Sequence, residues 1–270
     1  MIEKDVSVAH ADGSESAMIF NEVLSSEAEI DSIIGRPNSR VLAKVTNRLD
    51  DLCREFIGAS PFLVVSSSDS QGRMDCSPKG DPAGFVQVLD HWTLAIPERP
   101  GNRRADTFRN VLQNPKVGLV FLVPGKGETL RINGTARIVR DSWLREKLAH
   151  KGIVPELALV VRVEEVFAHC TKCMVRSELW KPESWKPEGM QFTIASAMVA
   201  HGKLELSVQE MQAIADERVR TSLYYDEDSQ ELAGRNVALW RVADLVIDRP
   251  PQLREGGFHG QRSNCAESSS

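Results

Sequence analysis

Residues 101–104 (GNRR) have the types and order that could bind an anion. A glycine and an asparagine precede two arginines where a short helix is predicted to begin. The first amides of a helix are free, the helix dipole adds positive charge, and two guanidinium groups can each grip two oxygens of a phosphate. Such turns often bind nothing, however, and an Arg-Arg pair is usually part of a solvated face. The choice depends on what the rest of the chain places beside it.

A second basic group lies in residues 169–180 (HCTKCMVRSELW). Lys172 and Arg176 are four residues apart, and we expect them to share one helical face with Trp180. Two cations beside an aromatic ring would suit an anionic group on a substrate or cofactor. The alternative is a surface cluster of ion pairs with Glu178 or Glu183.

The same segment contains a CxxC motif, Cys170 and Cys173. A zinc site needs four ligands, and the sequence offers no second CxxC or histidine pair. A thioredoxin-like centre needs a βαβ context, which we do not find. The five cysteines of the chain are scattered and odd in number, unlike a disulfide framework. We therefore expect packed thiols and no metal, with a redox pair as the alternative.

Composition limits the class of protein. The chain has 270 residues, 41% of them hydrophobic and 26% charged, with a net charge of −5. This balance is typical of a globular protein and argues against one that coats nucleic acid or anionic membrane. No run has the length of a membrane span, and residues 1–20 lack an apolar signal core. We predict a cytoplasmic protein with neither nucleic acid nor membrane as a partner.

Alternating apolar residues and turn signals predict a mainly β protein with peripheral helices. Strands are predicted over residues 62–68, 73–79, 85–88, 92–96, 117–123, 129–139, 157–168 and 236–247. Helices are predicted over 25–35, 40–57, 105–112, 141–150 and 210–223, Asp141 capping the fourth. The first should begin by capping at Ser25–Ser26 and turn its isoleucines to one face, and the second should be one amphipathic helix. Antiparallel strands with short intervening helices suit a closed or split barrel, and the lack of GxGxxG and βαβ patterns argues against a Rossmann fold.

Several segments together resemble a known family. They are residues 72–81 (GRMDCSPKGD), 97–114, 119–125 (LVFLVPG), 129–136 (TLRINGTA) and 169–180. Over residues 41–185 the chain resembles the pyridoxamine 5′-phosphate oxidase-like group of FMN-binding split-barrel proteins. Within that group it is similar to a subgroup of FMN-dependent flavoproteins rather than to the vitamin B6 oxidases. The resemblance implies a Greek-key antiparallel split β-barrel with flanking helices, and a homodimer that holds FMN at the subunit interface.

The resemblance also implies which residues meet the cofactor. Those expected at the phosphate and ribityl chain are Ser77, Lys79, Asn102, Arg103 and Arg104, with a further hydroxyl from Thr107. The backbone of Asp75, Cys76 and Ser77 is expected at the isoalloxazine, with Arg131 on a neighbouring strand. The side chains expected to reach the flavin of the partner subunit are Lys172, Arg176 and Trp180. The Cys76 side chain could touch the ring, but we expect a buried structural thiol.

The implied activity is that of an FMN-dependent oxidoreductase, in which a small organic substrate or NAD(P)H exchanges a hydride with flavin N5. No nucleophile–base arrangement competes with it, since no serine lies in a GxSxG frame. One alternative is a pyridoxamine or pyridoxine 5′-phosphate oxidase, which Met74 disfavours because those enzymes commonly have arginine there. Others are a non-catalytic FMN-binding or sensing module and a CxxC thiol protein.

The expected organisation has four parts. Residues 1–38 form a lead-in with a short helix, and residues 39–188 form the FMN-binding domain. Residues 189–249 form a C-terminal extension of helix and strand, and residues 250–270 form a disordered tail rich in serine.

Overall fold

The computed structural model describes residues 20–224 of the chain. The predicted lead-in up to residue 19, the strand over 236–247 and the disordered tail lie outside the described residues. Strands are β1 (Phe62–Ser68), β2 (Met74–Gly80), β3 (Gln87–Val88), β4 (Thr93–Pro97), β5 (Lys116–Leu122), β6 (Thr129–Val139) and β7 (Ala158–His169). Helices are α1 (Glu27–Ile34), α2 (Ser39–Ala43), α3 (Asp51–Ala59), α4 (Asp106–Gln113), α5 (Ser142–Lys147), α6 (Lys172–Ser177), α7 (Ile194–Gly202) and α8 (Val208–Ser222). No helix between residues 20 and 224 is long and apolar enough to cross a membrane.

The strands form one antiparallel sheet in the order β2-β1-β5-β6-β7-β4-β3. β2 and β3 lie at opposite edges, although only residues 81–86 connect them. The seven Cα-to-Cα steps from Gly80 to Gln87 span at most about 25 Å. In a flat sheet of seven strands, the two edge strands would be about 29 Å apart. The sheet therefore curls until its edges approach each other. β2 and β3 do not pair, which leaves the seam of a split barrel and confirms the predicted fold.

The inner face of the curled sheet forms one core. In register across four strands, Val65 of β1 faces Leu119 of β5, Leu119 faces Ile132 of β6, and Ile132 faces Val166 of β7. All four are buried, and Ile57 of α3 closes the same cluster. Truncating such a residue to alanine costs about 2–5 kcal/mol. The alternation of apolar and polar residues that predicted these strands thus corresponds to residues that face the core and the surface in turn.

The prediction of one helix over residues 40–57 is wrong. The chain forms α2, then an extended stretch in which Thr46 exchanges two backbone hydrogen bonds with Val166 of β7, at 3.0 and 2.7 Å. α3 starts afresh where the Asp50 carboxylate accepts from the Cys53 amide at 2.9 Å. The pairing to β7 therefore overrides the apolar period, and Val41 and Leu42 in α2 remain exposed.

The outer helices follow their caps more closely than their apolar patterns. α1 begins after Ser26 with a capping box to Glu29 and ends at Gly35, as predicted. Its isoleucines are nevertheless exposed, by 44–78%, and none belongs to the buried core of the described residues. α5 begins after Asp141, but that side chain makes no capping hydrogen bond, contrary to the prediction. α7 was not predicted; its cap is Thr193, paired with a serine instead of the usual glutamate.

Candidate functional site

The inner face of β2 presents three of the predicted site residues in a row. Asp75, Ser77 and Lys79 are half-buried, and each faces an inward position of β1 across the strand pair. Met74 and Cys76 alternate with them and are exposed on the outer face. Strand geometry thus places a carboxylate, a hydroxyl and an ammonium group along one side of the barrel.

The first turn of α4 lies against this row. The hydroxyl of Thr107 donates to the Asp75 carboxylate at 3.0 Å, and Lys79 Nζ lies 5.7 Å from the centre of the Phe108 ring. Asn110 on the next turn donates to the Ser67 hydroxyl of β1 at 3.0 Å. Thr107 is buried, and its hydroxyl fixes Asp75. The helix and strand therefore form one rigid unit.

The loop that leads into α4 is shaped by its own side chains. Asn102 accepts from the Arg104 amide at 3.0 Å, and Arg103 has a left-handed backbone with φ of 60°. Arg104 pairs with Asp106 at 2.6 Å, and this hydrogen-bonded carboxylate raises the pKa of Arg104. Ala105, at the N-cap, gives α4 no side-chain cap. Arg103 has no ion pair or hydrogen-bond partner among residues 20–224.

Two ion pairs connect the end of β2 to the segment that follows β4. Lys79 Nζ lies 3.3 Å from Glu98 Oε2, and Asp81 Oδ2 accepts a hydrogen bond from Arg99 Nε at 2.6 Å. The Asp81 side chain is only 1% exposed, and it also accepts a hydrogen bond from Tyr224. These contacts hold β2 and the GNRR loop in a fixed relation. The sequence analysis missed Glu98 and Arg99, although opposite charges side by side just before the loop were a usable signal.

β2 also offers its backbone. It pairs only with β1, so the N–H and C=O groups along its other edge have no strand partner in the described part of the chain. Pro78 has no N–H to lose, which suits an edge position. The edge runs past Asp75, Cys76 and Ser77, whose backbone was predicted to meet a flavin ring.

The prediction of a buried thiol at Cys76 is wrong. Its side chain is exposed on the outer face, with Sγ 3.4 Å from the Ser66 hydroxyl. Beside it on this face is an open cleft of about 300 Å³, whose walls come from β1, β2, β5, β6 and β7 and include Ser66 and Met74. The thiol is exposed because no described segment covers the outer face of this edge strand.

Arg131 is not brought to the Lys79 side of the sheet. It lies in β6 opposite Phe167 of β7, on the outer face, and its guanidinium carbon lies 5.0 Å from the centre of the Phe167 ring. It is exposed. A ligand that reached both Arg131 and Lys79 would have to pass around the edge of the sheet.

The predicted helical face of Lys172, Arg176 and Trp180 is only partly present. α6 ends at Ser177, and Glu178 has a left-handed backbone, so Trp180 lies beyond the helix and donates to the Lys126 carbonyl at 2.6 Å. Lys172 and Arg176 are exposed on α6 and have no ion-pair partner in the described part of the chain. The surface cluster considered as the alternative is not formed, since Glu178 pairs with Lys181. α6 follows β7, four strands from β2, so one chain does not bring these cations to Lys79.

Both cysteines of the CxxC motif are exposed, and neither forms a disulfide within residues 20–224. Among residues 20–224, no three or more histidine, cysteine, aspartate or glutamate side chains are grouped to hold a metal ion. The motif thus lies outside any metal site of the described residues. The expectation of packed thiols is wrong here too.

Comparisons with known proteins place the barrel in a family. Residues 49–170 match the family model described as pyridoxamine 5′-phosphate oxidase. None of the curated proteins matches the chain significantly.

Similar solved structures carry different descriptions. A putative pyridoxamine 5′-phosphate oxidase from Lactobacillus delbrueckii is 25% identical, with a TM-score of 0.36 over 45% of this chain and 95% of that one. An FMN-binding protein from Syntrophomonas wolfei is 10% identical, with a TM-score of 0.34 over 48% and 86%. HutZ, the heme storage protein from Vibrio cholerae, is 20% identical, with a TM-score of 0.31 over 44% and 94%.

Because these TM-scores are low, the assignment rests on the family model. The matched residues begin just before α3 and end just after β7, so they include all seven strands. The match assigns residues 49–170, slightly less than half of the chain, to the pyridoxamine 5′-phosphate oxidase-like family.

Proposed function

We propose that the protein binds FMN and acts as an FMN-dependent oxidoreductase on a small organic substrate or NAD(P)H. The observation that carries the proposal is the meeting of three features on one side of the barrel. These are the inward row of β2, its open backbone edge, and the uncapped start of α4 with Arg103, which has no side-chain partner among the described residues. Together they offer what a phosphorylated ring compound needs at its two ends.

The phosphate end fits the basic loop. Arg103, Arg104 and Lys79 supply positive charge, while the first amides of α4 supply neutral donors. Arg104 would exchange Asp106 for the phosphate. That pair is solvent-exposed, the arginine side chain by 72%, and such pairs are worth at most about 1 kcal/mol. A charge-assisted hydrogen bond to phosphate contributes about 1.5–3 kcal/mol, so the exchange favours binding.

The ring end fits the open edge of β2. A pyrimidine edge presents both donors and acceptors, and the backbone of residues 75–77 can match them. Bound FMN would supply hydride or electron transfer, while the chain supplies position and electrostatic field. Asp75, fixed by Thr107, would hold the strand in place next to the ring.

We further propose a homodimer in which α6 of one subunit approaches the ring held by its partner. Lys172 and Arg176 are exposed cations without an ion-pair partner among residues 20–224. α6 follows the end of β7 at His169, whereas the phosphate loop of the same chain follows Pro97 of β4, which pairs with Ala158 at the opposite end of β7. A site shared between subunits accounts for both facts. It also covers the open edge of β2, which would otherwise be left to pair with other chains.

The test is FMN binding by the full chain and by a double variant. The protein is stripped of any chromophore and titrated with FMN, with flavin fluorescence as the readout. We expect about one FMN per chain, and at least about 100-fold weaker binding for Arg103→Ala/Arg104→Ala, because two charge-assisted contacts are lost. The control is Arg40→Ala/Arg137→Ala, which removes the same charge from two exposed positions away from the loop. Equal affinities for the two double variants would contradict the phosphate assignment.

A second assay separates an enzyme from a binding module. Under anaerobic conditions, NADH or NADPH should bleach the bound flavin, and Lys172→Ala should slow this at least about tenfold with unchanged FMN content. Lys44→Ala, at an exposed lysine of the N-terminal segment, is the control. Flavin that no donor or substrate reduces would favour a sensing module, and turnover of pyridoxine 5′-phosphate would favour the B6 oxidase alternative. A heme absorption band in place of flavin would contradict the proposal.

A further inference from the structure

The CxxC motif forms a single turn of helix. Thr171 has φ of −70° and ψ of −13°, and Lys172 is the first residue of α6. The first turn of α6, which includes Cys173, is closed by a hydrogen bond from the Val175 amide to the Thr171 carbonyl at 3.0 Å, and Cys170 lies immediately before it. With both intervening residues helical, the Cα atoms of Cys170 and Cys173 lie about 5 Å apart. Disulfides span Cα separations of about 4.4–6.8 Å, so the Cα separation of these cysteines is compatible with a bond between them.

The two thiols are also accessible, and one of them lies over the turn. Both side chains are exposed. Cys173 Sγ lies 3.8 Å from the Cys170 carbonyl oxygen, so this thiol lies against the backbone of the other cysteine. The other described cysteines cannot compete: Cys76 lies on β2, four strands from β7, and Cys53 is buried, which raises its pKa to about 11.

We propose that Cys170 and Cys173 are a reversible dithiol–disulfide site that exchanges with a small-molecule disulfide such as glutathione disulfide. One cysteine thiolate attacks a sulfur of that disulfide, forming a mixed disulfide and releasing one glutathione thiolate. The second cysteine then attacks the protein sulfur, forming the Cys170–Cys173 bond and releasing the second glutathione. Two protein thiols are oxidised, one external disulfide is reduced to two thiols, and the protons of the cysteines pass to the released thiolates.

A disulfide at this site would be easily reduced and would contribute little to the stability of the fold. A disulfide stabilises a fold mainly by closing a long loop in the unfolded chain, and this one closes only four residues. The exposed bond is open to attack by a free thiol, as labile disulfides are. It would therefore add little to folding and respond readily to the redox state of the surroundings.

Oxidation would act on Lys172, which lies between the two cysteines. The ring closed by the disulfide includes its backbone, and α6 begins at this residue. If Lys172 meets the flavin of a partner subunit, oxidation alters the site through this residue. That consequence rests on the proposed function, whereas the disulfide itself does not.

The test uses the full chain and the position of Lys172. The protein is incubated with glutathione disulfide, its remaining thiols are alkylated before unfolding, and it is then digested with trypsin. Because trypsin cleaves after Lys172, the disulfide would appear as residues 163–172 joined covalently to residues 173–176. We expect this joined pair from most chains of wild type and of Cys76→Ser, with separation on reduction. Cys170→Ser and Cys173→Ser should not yield it.

Two results would overturn the proposal. One is glutathione attached to Cys170 or Cys173 in most wild-type chains without the joined peptides. The other is a disulfide from either cysteine to Cys76 or Cys265 in place of the internal bond. A separate measurement compares FMN reduction by oxidised and reduced wild type, with oxidised Cys173→Ser as the control. A protein that binds no flavin fails only in this last measurement, which separates the two proposals.

Discussion

Replacing Gly134 by alanine should destabilise the barrel more than any other glycine-to-alanine change on its sheet. Gly134 follows the β-bulge in β6, where the register with β7 shifts. A Cβ atom here would overlap the Arg162 carbonyl oxygen, and would lie 3.1 Å from that residue's carbonyl carbon and 3.3 Å from Val161 Cγ1. The obstacle is backbone of the adjacent strand, which cannot rotate away as a side chain can. β6 and β7 must therefore move apart.

The size of the effect follows from what that movement breaks. Overpacking a tight site costs about 1–3 kcal/mol, and two ladder hydrogen bonds weakened at the bulge add about 1 kcal/mol each. The sum is about 3–5 kcal/mol, which for a chain of this size lowers Tm by about 5–9 °C. Gly118→Ala is the matched control, because its Cβ would meet only the Asn133 side-chain oxygen at 3.5 Å and Ser66 Cβ at 4.0 Å. Thermal unfolding followed by circular dichroism measures both. Equal Tm values for the Gly134→Ala and Gly118→Ala proteins would refute the reasoning.

Three further predictions concern single carboxylates and thiols. Asp81→Ala should cost about 3–5 kcal/mol in urea unfolding, because it leaves the mostly buried Arg99 without its partner; a loss below about 1 kcal/mol would contradict this. Asp50→Ala should cost about 1 kcal/mol at neutral pH. The Cys53 amide, which donates to this carboxylate, lowers the pKa of Asp50, so the stabilisation is present above the ordinary aspartate pKa and is lost as the pH falls below about 4. A difference between wild type and variant that persists undiminished at pH 2–3 would contradict the capping role. In the folded protein, Cys53 should resist iodoacetamide at neutral pH while Cys170 reacts, and mass spectrometry after digestion would show any labelling of Cys53.

The sequence pattern predicted an element correctly wherever interactions between residues close together in the chain determine its bounds. The strand over 129–139 was predicted with the bounds that β6 has, since alternation and a flanking turn define it. The predicted start of α1 was close to the observed one, because a capping box involves only residues three positions apart. In contrast, the break between α2 and α3 depends on Thr46 pairing with Val166, 120 residues later along the chain. No periodicity within residues 40–57 contains that partner.

The same limit applies to the candidate site. The sequence pointed to Lys79, Arg103 and Arg104, and the structure places Lys79 beside the helix that these arginines precede. It could not show that Glu98 and Asp106 already pair with two of the three cations, because partner choice depends on register and loop shape. Nor could alternation show that β2 is an edge strand, which is why Cys76 was expected to be buried. Burial on the outer face depends on neighbours that local pattern does not contain.

The strand order also determines how late the barrel can be completed during synthesis. β4 pairs with β7, and β1 with β5, so one of the two neighbours of each strand is made more than 45 residues after it. Until Ala158–His169 has left the ribosome, β4 has only the two-residue β3 as a partner. Closing such long loops slows folding and leaves apolar strands exposed in the nascent chain. We expect a ribosome-bound fragment that ends before β7 to remain protease-sensitive and to recruit chaperones, with protection appearing in one step once β7 emerges.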